Sequence, residues 1–122
     1  IVNIISTSVR EPIAGLGVSN TTRGAMASWS KSVSKELPPG LTINNILPGF
    51  TDTERLTELK NAKAAASGVS ADEVQAAWLG AIPAQRLAAP SEMASTAAFL
   101  ASDGISVMAV APEPITTILL PP

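Results

Sequence analysis

The sequence predicts an α/β fold with a parallel sheet, from two short apolar runs and the helical patterns that separate and follow them. Residues 1–5 are almost all apolar, and Leu41–Leu47 is a second such run. Short runs rich in β-branched residues are typical of strands covered on both faces of a parallel sheet. A strand–helix–strand order with further helices indicates a parallel α/β arrangement.

A helix is predicted over about Asn20 to Leu37. The apolar residues Met26, Trp29 and Val33 fall close to one face of it, with Leu37 at its end. The run Pro-Pro-Gly at 38–40 is expected to stop the helix, because proline lacks a backbone donor and glycine favours helix ends.

The region between Pro48 and Pro83 is predicted to form a helix–turn–helix flap. Thr51 and Glu54 have the spacing of a capping box, and Ser70 and Glu73 repeat it before the second helix. A last helix is predicted to start at 90–92 and to end at 103–104, where Asp-Gly follows.

The end of the chain is open to two predictions. Either Val107–Val110 or Ile115–Leu120 could form a closing strand, although prolines flank both.

Composition bounds what the protein can do. The 122 residues fit at most one domain, and 46% hydrophobic residues can fill a core. A net charge of −2 without a basic cluster makes nucleic acid an unexpected partner. With no cysteine and no histidine, thiolate sites, disulfides and histidine triads are excluded. No run reaches the ~18 apolar residues of a membrane span, so no membrane contact is expected, and a cytoplasmic location fits the cysteine-free composition.

A spaced set of polar residues follows the two predicted strands. Ser6 ends the first, and thirteen positions later Ser19 begins the pattern Ser-x-x-x-Arg that Arg23 completes; Pro48 and Gly49 end the second strand. This order resembles the C-terminal half of a short-chain dehydrogenase/reductase, with Ser-x-x-x-Arg in place of Tyr-x-x-x-Lys. The stretch 85–103 is also similar to the family's pattern before its last strand.

The resemblance implies part of a Rossmann-like, doubly wound parallel sheet and a nicotinamide-dependent oxidoreductase. It implies NAD or NADP as cofactor, no metal, and an alcohol/carbonyl substrate, with hydride chemistry carried by the cofactor. The helix over 20–37 is similar to the family's subunit-contact helix, so a homo-oligomer is implied. The implied catalytic residues are Ser6, Ser19 and Arg23; the implied cofactor-binding residues are Arg23, Pro48, Gly49, Thr51 and Thr53.

The altered motif bears on catalysis more than on binding. In the family a phenol exchanges a proton with the carbonyl oxygen, and an alcohol such as Ser19 is shorter and a far weaker acid. Arg23 stays protonated and can still donate to ribose hydroxyls. The whole chain contains no tyrosine that could substitute.

Each of these residues also has a structural interpretation. Ser6 could hydrogen-bond the strand end, Arg23 could be a solvated helix charge, and the Pro-Gly pair could simply break a strand. Helix capping could explain Ser19, Thr51 and Thr53. Trp29 and Trp78 are expected to be packing residues.

The chain is expected to be one partial domain over residues 1–122, with a divergent tail over 104–122. It contains no glycine-rich phosphate loop and starts inside a strand-like run, so we expect a fragment. The alternative is a catalytically inactive truncated relative that acts as a binding or interaction module.

Overall fold

A computed structural model describes residues 1–103 and the backbone of Thr116–Leu119. The chain divides into two compact units. The first comprises Ile1–Pro48 with the described part of Met93–Leu120, and the second comprises Gly49–Glu92. Whether residues 1–122 form one partial domain with a tail from 104 stays a prediction.

The first unit contains a three-stranded parallel sheet. Its strands are β1 (Val2–Ile4), β2 (Asn44–Leu47) and β3 (Thr116–Leu119), in the order β1-β2-β3. Val2 pairs with Asn44, and Asn44 pairs with Thr116. The predicted parallel α/β arrangement is confirmed, and the closing strand lies within Ile115–Leu120. The alternative, Val107–Val110, lies outside the described residues.

Burial differs between the strands. All four residues of β2, the middle strand, are buried; Ile46 is 0% exposed. β1 lies at the edge of the described sheet, where Ile4 is 49% exposed and Ile1 is exposed as well. The prediction that the first strand is covered on both faces is therefore wrong within the described part of the chain.

The first helix, α1, spans Gly17–Ser34, so it begins and ends three residues earlier than predicted. The N–H groups of Glu36 and Leu37 still bond the Val33 carbonyl, so turns continue up to Pro38. Trp29 is 47% exposed, which contradicts its expected packing role. On this helix the position fully buried is a serine, Ser30.

A buried polar network explains why a serine occupies that position. Ser30 Oγ donates to the Met26 carbonyl and lies 2.9 Å from Asn45 Oδ1 on β2. Asn3 Nδ2 on β1 donates to Ser30 Oγ at 2.8 Å and to Asn45 Oδ1 at 3.2 Å. Buried polar groups need such partners, so this network links α1 with both strands.

The second unit is built on two helices, α2 (Glu54–Ser67) and α3 (Ala71–Ala81), which confirms the predicted helix–turn–helix. Gly68 ends α2 with φ of 68°, a left-handed conformation that glycine adopts readily. Ser70 and Glu73 form the predicted capping box. The core of this unit comprises Ala64, Val74 and Trp78, with Phe50, Leu56, Leu59 and Ala71 packed against it.

Trp78 is a packing residue, as predicted. It is buried, and its ring stacks on that of Phe50 with the centroids 5.2 Å apart. A capping box from Thr51 to Glu54 is not formed. The N-cap of α2 is Thr53, whose Oγ accepts the N–H of Leu56.

The predicted last helix is α4, which spans Pro90–Ala101 and buries Leu100. Its end lies two residues before the predicted Asp-Gly stop, of which only Asp103 is described. Among the helices that the structure describes, each is too short or too polar to cross a membrane.

Candidate functional site

Ser6 lies two residues after β1, where the strand gives way to a single 3₁₀ turn, Thr7–Val9. It is the N-cap of that turn, and its Oγ accepts the N–H of Ser8 at 3.1 Å. This bond uses a lone pair of the hydroxyl and not its proton. The Ser6 O–H therefore remains able to donate to an incoming oxygen.

The ends of β1 and β2 lie side by side, as expected for neighbouring parallel strands. Ile5 N–H donates to the Ile46 carbonyl at 2.8 Å, and Thr7 N–H donates to the Pro48 carbonyl at 3.2 Å. The backbone N–H groups of the residues before and after Ser6 are thus bonded to β2 and to Pro48, the residue that follows it.

Arg23 is brought to the same end of the sheet. It extends from α1, and its Nη1 donates to the Ile4 carbonyl at 3.3 Å. The side chain is exposed, and Nε and Nη2 make no hydrogen bond within the described ranges 1–103 and 116–119. Arg23 is therefore more than a solvated charge, because Nη1 is hydrogen-bonded to the backbone, and its remaining N–H groups are available to a ligand.

Ser19 does not cap its helix. It is the third residue of α1, whose N-cap is Leu16, and no side chain provides the capping hydrogen bond. The capping interpretation of Ser19 is therefore wrong, because α1 begins three residues earlier than the sequence indicated. Ser19 is exposed and stands one helical turn before Arg23, on the same side of the helix.

Asn20 is a residue that the sequence reasoning missed. Its Nδ2 donates to the Ile13 carbonyl at 2.9 Å, and its Oδ1 lies 3.4 Å from the Ile13 N–H. Ile13 begins a turn closed by the Leu16 N–H, with Gly15 at φ of 80° as in a type II turn. The sequence signal was the pair Gly15-Leu16 followed by an asparagine in the first helical turn.

Ser8 was also missed. The residue is 3% exposed, and its Oγ has no hydrogen-bond partner among the residues that the structure describes. An unpaired buried hydroxyl costs roughly 1–3 kcal/mol.

The other candidate residues begin the second unit. Thr51 Oγ donates to the Gly49 carbonyl at 3.3 Å, so Thr51 is not a helix cap. Thr53 is one, and its capping interpretation is confirmed; its Oγ also lies 3.4 Å from the Thr51 carbonyl. The segment 49–53 thus carries two hydroxyls in a compact, hydrogen-bonded stretch.

Thr51 is held from the side by a later segment. Ala88 forms a parallel bridge with Thr51, with Ala88 N–H donating to the Phe50 carbonyl at 3.0 Å and Asp52 N–H donating to the Ala88 carbonyl at 2.9 Å. The backbone on both sides of Thr51 is therefore hydrogen-bonded to the same residue.

An ion pair joins the two residues that flank Ala88 in the chain, Arg86 before it and Glu92 after it. Arg86 and Glu92 form two parallel hydrogen bonds of 2.9 and 2.8 Å, and Glu92 Oε2 also accepts the Ala89 N–H. The bonds from Arg86, followed by that from Ala89, lower the pKa of Glu92 to about 2. Glu92 is thus ionised at any physiological pH.

The donor set fits a nicotinamide cofactor in chemical terms. Hydroxyls and a guanidinium are groups that bond ribose hydroxyls and phosphate oxygens. The described residues contain no group of three histidine, cysteine or acidic side chains that could hold a metal ion. The roles of Ser6, Ser19, Arg23, Pro48, Gly49, Thr51 and Thr53 stay predictions.

Comparison with known proteins gives concordant matches. Residues 1–111 match the family described as Enoyl-(Acyl carrier protein) reductase. The chain is 30% identical over 107 residues to the NADPH-dependent reductase BacG of Bacillus subtilis, covering 87% of this chain and 41% of BacG. It is 33% identical over 103 residues to the 3-oxoacyl-[acyl-carrier-protein] reductase FabG of Vibrio cholerae, covering 84% and 38%.

The comparison with solved structures agrees with these sequence matches. A short chain dehydrogenase family protein from Francisella tularensis superposes with a TM-score of 0.78 at 30% identity, over 84% of this chain and 43% of the other. YwfH, an NADPH dependent reductase involved in bacilysin biosynthesis, superposes with a TM-score of 0.76 at 29% identity, over 84% and 39%. The chain thus spans about two-fifths of the length of these relatives.

Proposed function

Because this chain belongs to the short-chain dehydrogenase/reductase family, we propose that it contributes to an oxidoreductase that exchanges hydride between NAD or NADP and an alcohol/carbonyl substrate. The observation that carries the proposal is the placement of Ser6 and Arg23 at one end of the sheet, with Arg23 Nη1 3.3 Å from the Ile4 carbonyl. In open α/β sheets, ligands bind at the carboxyl ends of the strands.

Ser6 orients the substrate in this proposal. Its Oγ accepts the Ser8 N–H, which leaves its own proton available to the substrate oxygen. That bond strengthens as negative charge develops on the oxygen, which is the condition for a catalytic contribution.

Arg23 supplies a positive charge and hydrogen-bond donors for the cofactor in this proposal. Its Nη1 is anchored on the backbone next to Ser6, and its other N–H groups can donate to the ribose hydroxyls of the cofactor. A fixed positive charge near the reacting oxygen also stabilises the developing alkoxide. Nicotinamide, when bound, supplies or accepts the hydride.

Ser19 is the proposed route for the proton. Its exposed hydroxyl lies one turn from Arg23, so its Oγ can donate a proton to the substrate oxygen and recover one from solvent. An alcohol is a weaker acid than a phenol, so we expect slower proton transfer than in the relatives that carry Tyr-x-x-x-Lys. In the second unit, Gly49, Thr51 and Thr53 are proposed cofactor contacts, as is Pro48 at the end of the first.

The relatives favour this enzyme over the inactive binding module, because BacG and FabG are both described as reductases. A homo-oligomer is proposed as well. It is supported by Val18 and Trp29, which are 86% and 47% exposed on α1. Sedimentation of the protein at several concentrations tests this assembly. A cytoplasmic location is proposed on the cysteine-free composition.

The test is a reductase assay on the complete protein that the gene encodes. We expect reduced NAD or NADP to be consumed in the presence of carbonyl compounds, and Ser6→Ala to lower kcat/KM by about 10²-fold. Thr7→Ala is the matched control, since Thr7 contributes only its backbone N–H to the Pro48 bond. Cofactor binding without turnover of any carbonyl or alcohol would favour the inactive module instead.

A further inference from the structure

The loop before α4 is held closed by three short polar contacts to one carboxylate. The Glu92 carboxylate accepts hydrogen bonds from Nη1 and Nη2 of Arg86 and from the backbone N–H of Ala89. Two parallel bonds between a guanidinium and a carboxylate fix the orientation of both groups. We call this set of Arg86, Glu92 and the Ala89 N–H the clasp.

The backbone entering this loop is strained. Gln85 has φ of 51°, in the left-handed region that residues other than glycine rarely adopt. Such a conformation persists only where surrounding contacts impose it. The Gln85 N–H bond to the Ile82 carbonyl holds one side, and the clasp, which begins at the next residue, holds the other.

Between the two halves of the clasp lies Ala88, which is 8% exposed and bonds the backbone on both sides of Thr51. The position of the loop is thus coupled through Ala88 to the segment 49–53, which carries the hydroxyls proposed to bind the cofactor. If the loop shifts, the carbonyl of Phe50 and the N–H of Asp52 lose their partners together.

We propose that Arg86 and Glu92 are positioning residues, which fix Thr51 for cofactor contact through the backbone of Ala88. The proposal rests on the proposed function for its cofactor part, whereas the link from clasp to Thr51 stands on the hydrogen bonds alone. Because the clasp acts on Thr51 through the backbone bonds of Ala88, the proposal requires no contact between its side chains and the cofactor.

A purely stabilising role is the competing explanation, and the same unit offers a control for it. Arg55 and Glu58 form an ion pair on α2 at 3.0 Å, with side chains 73% and 60% exposed. Exposed pairs contribute little to stability. The two pairs differ in what they hold: Arg55–Glu58 spans one helical turn, and Arg86–Glu92 closes the loop that bridges to Thr51.

The experiment compares Glu92→Gln and Arg86→Lys with Glu58→Gln in the complete protein. Amide hydrogen exchange is measured at Asp52 and Ala88, and the Kd for NAD(H) and NADP(H) is measured by titration. In Glu92→Gln we expect exchange at both amides and the cofactor Kd to rise about tenfold, as for coupled neighbours. Arg86→Lys keeps the charge and should fall between Glu92→Gln and the unaltered protein, whereas Glu58→Gln should change neither quantity.

Each outcome is decisive. Unchanged exchange at Asp52 and Ala88 in Glu92→Gln overturns the link from the clasp to Thr51. Faster exchange with an unchanged Kd overturns the cofactor part of the proposal. If the unaltered protein binds neither cofactor, the proposed function fails, and the exchange rates alone then decide whether the clasp positions Thr51.

Discussion

Asn20 and Ile13 are joined by a two-point contact, in which the side-chain amide of Asn20 meets both the carbonyl and the N–H of Ile13 at 2.9 and 3.4 Å. Asn20 stands in the first turn of α1 and Ile13 in the loop that follows Ser6. With Arg23 on Ile4, α1 therefore grips the Ser6 segment at two places. These two contacts hold the backbone before and after Ser6 against α1.

Removing the amide should loosen that loop. Asn20→Ala should lower the free energy of unfolding by about 1 kcal/mol relative to the control Asn61→Ala, because hydrogen bonds contribute roughly that much. Asn61 is an exposed asparagine within α2, so the control cancels the higher helix propensity of alanine. Urea unfolding gives the energies, and tryptic cleavage after Arg10 should accelerate only in Asn20→Ala. Equal cleavage rates in both variants would contradict the grip.

The buried network around Ser30 makes a second prediction. Ser30→Ala leaves Asn3 and Asn45 with fewer partners and should destabilise the protein by about 1–3 kcal/mol. Ser32→Ala is the control, since Ser32 is an exposed serine on the same helix whose hydroxyl donates to the Ser28 carbonyl of its own helix. Denaturant unfolding of both variants measures the difference. A Ser30→Ala protein as stable as Ser32→Ala would show that the network is dispensable.

Lowering the pH should weaken the clasp and the capping box, because each depends on an ionised carboxylate. Arg86, then the Ala89 N–H, lowers the pKa of Glu92 from 4.5 to about 2, and the Ser70 backbone and side chain lower that of Glu73. A carboxylate with a lowered folded-state pKa contributes stability above its unfolded pKa and loses it as pH falls through the folded value. For Glu92 that loss runs from about pH 4.5 to about pH 2.

The measurement is unfolding across that interval. Glu92→Gln should remove part of the decrease in stability between pH 4.5 and pH 2, because the amide does not titrate. NMR titration of the Glu92 carboxyl should place its midpoint near 2. A midpoint near the ordinary 4.5 would mean that the clasp is open in solution.

The altered catalytic motif makes the fourth prediction. Ser19→Tyr combined with Arg23→Lys should raise the carbonyl reductase activity of the complete protein by about 10–100-fold, because a phenol beside an ammonium is a better general acid. The single variant Arg23→Lys is the control and should not raise it. Initial rates with saturating reduced cofactor measure the change. A folded, cofactor-binding double variant without any gain would remove Ser19 and Arg23 from the assigned positions.

The sequence predicted the strands and the four helices because each depends on local patterns. It misplaced the start of α1 because Ser19 looks like a cap, whereas the turn at Gly15 lets the helix begin at Gly17. It wrongly predicted that Trp29 is a packing residue. The helical spacing of this aromatic residue gave no sign that the neighbouring Ser30 is the buried position.

Contacts between distant residues were out of reach of pattern reasoning. Nothing in the spacing of Arg86 and Glu92 indicates two parallel bonds, and nothing indicates that Ala88 pairs with Thr51. Helix periods and capping boxes are signals over a few residues, but these contacts join segments that turn back on each other. The residues that hold the candidate site were therefore less predictable than those proposed to act in it.

The two tryptophans of the chain differ in their surroundings: Trp29 is open to water, and Trp78 is buried against Phe50. Because Trp29 is exposed and Trp78 is buried, their emission can be told apart by colour and by quenching with acrylamide. Replacing either with phenylalanine would leave a single-colour reporter for one half of the molecule. Stopped-flow fluorescence could then time the collapse of each half separately.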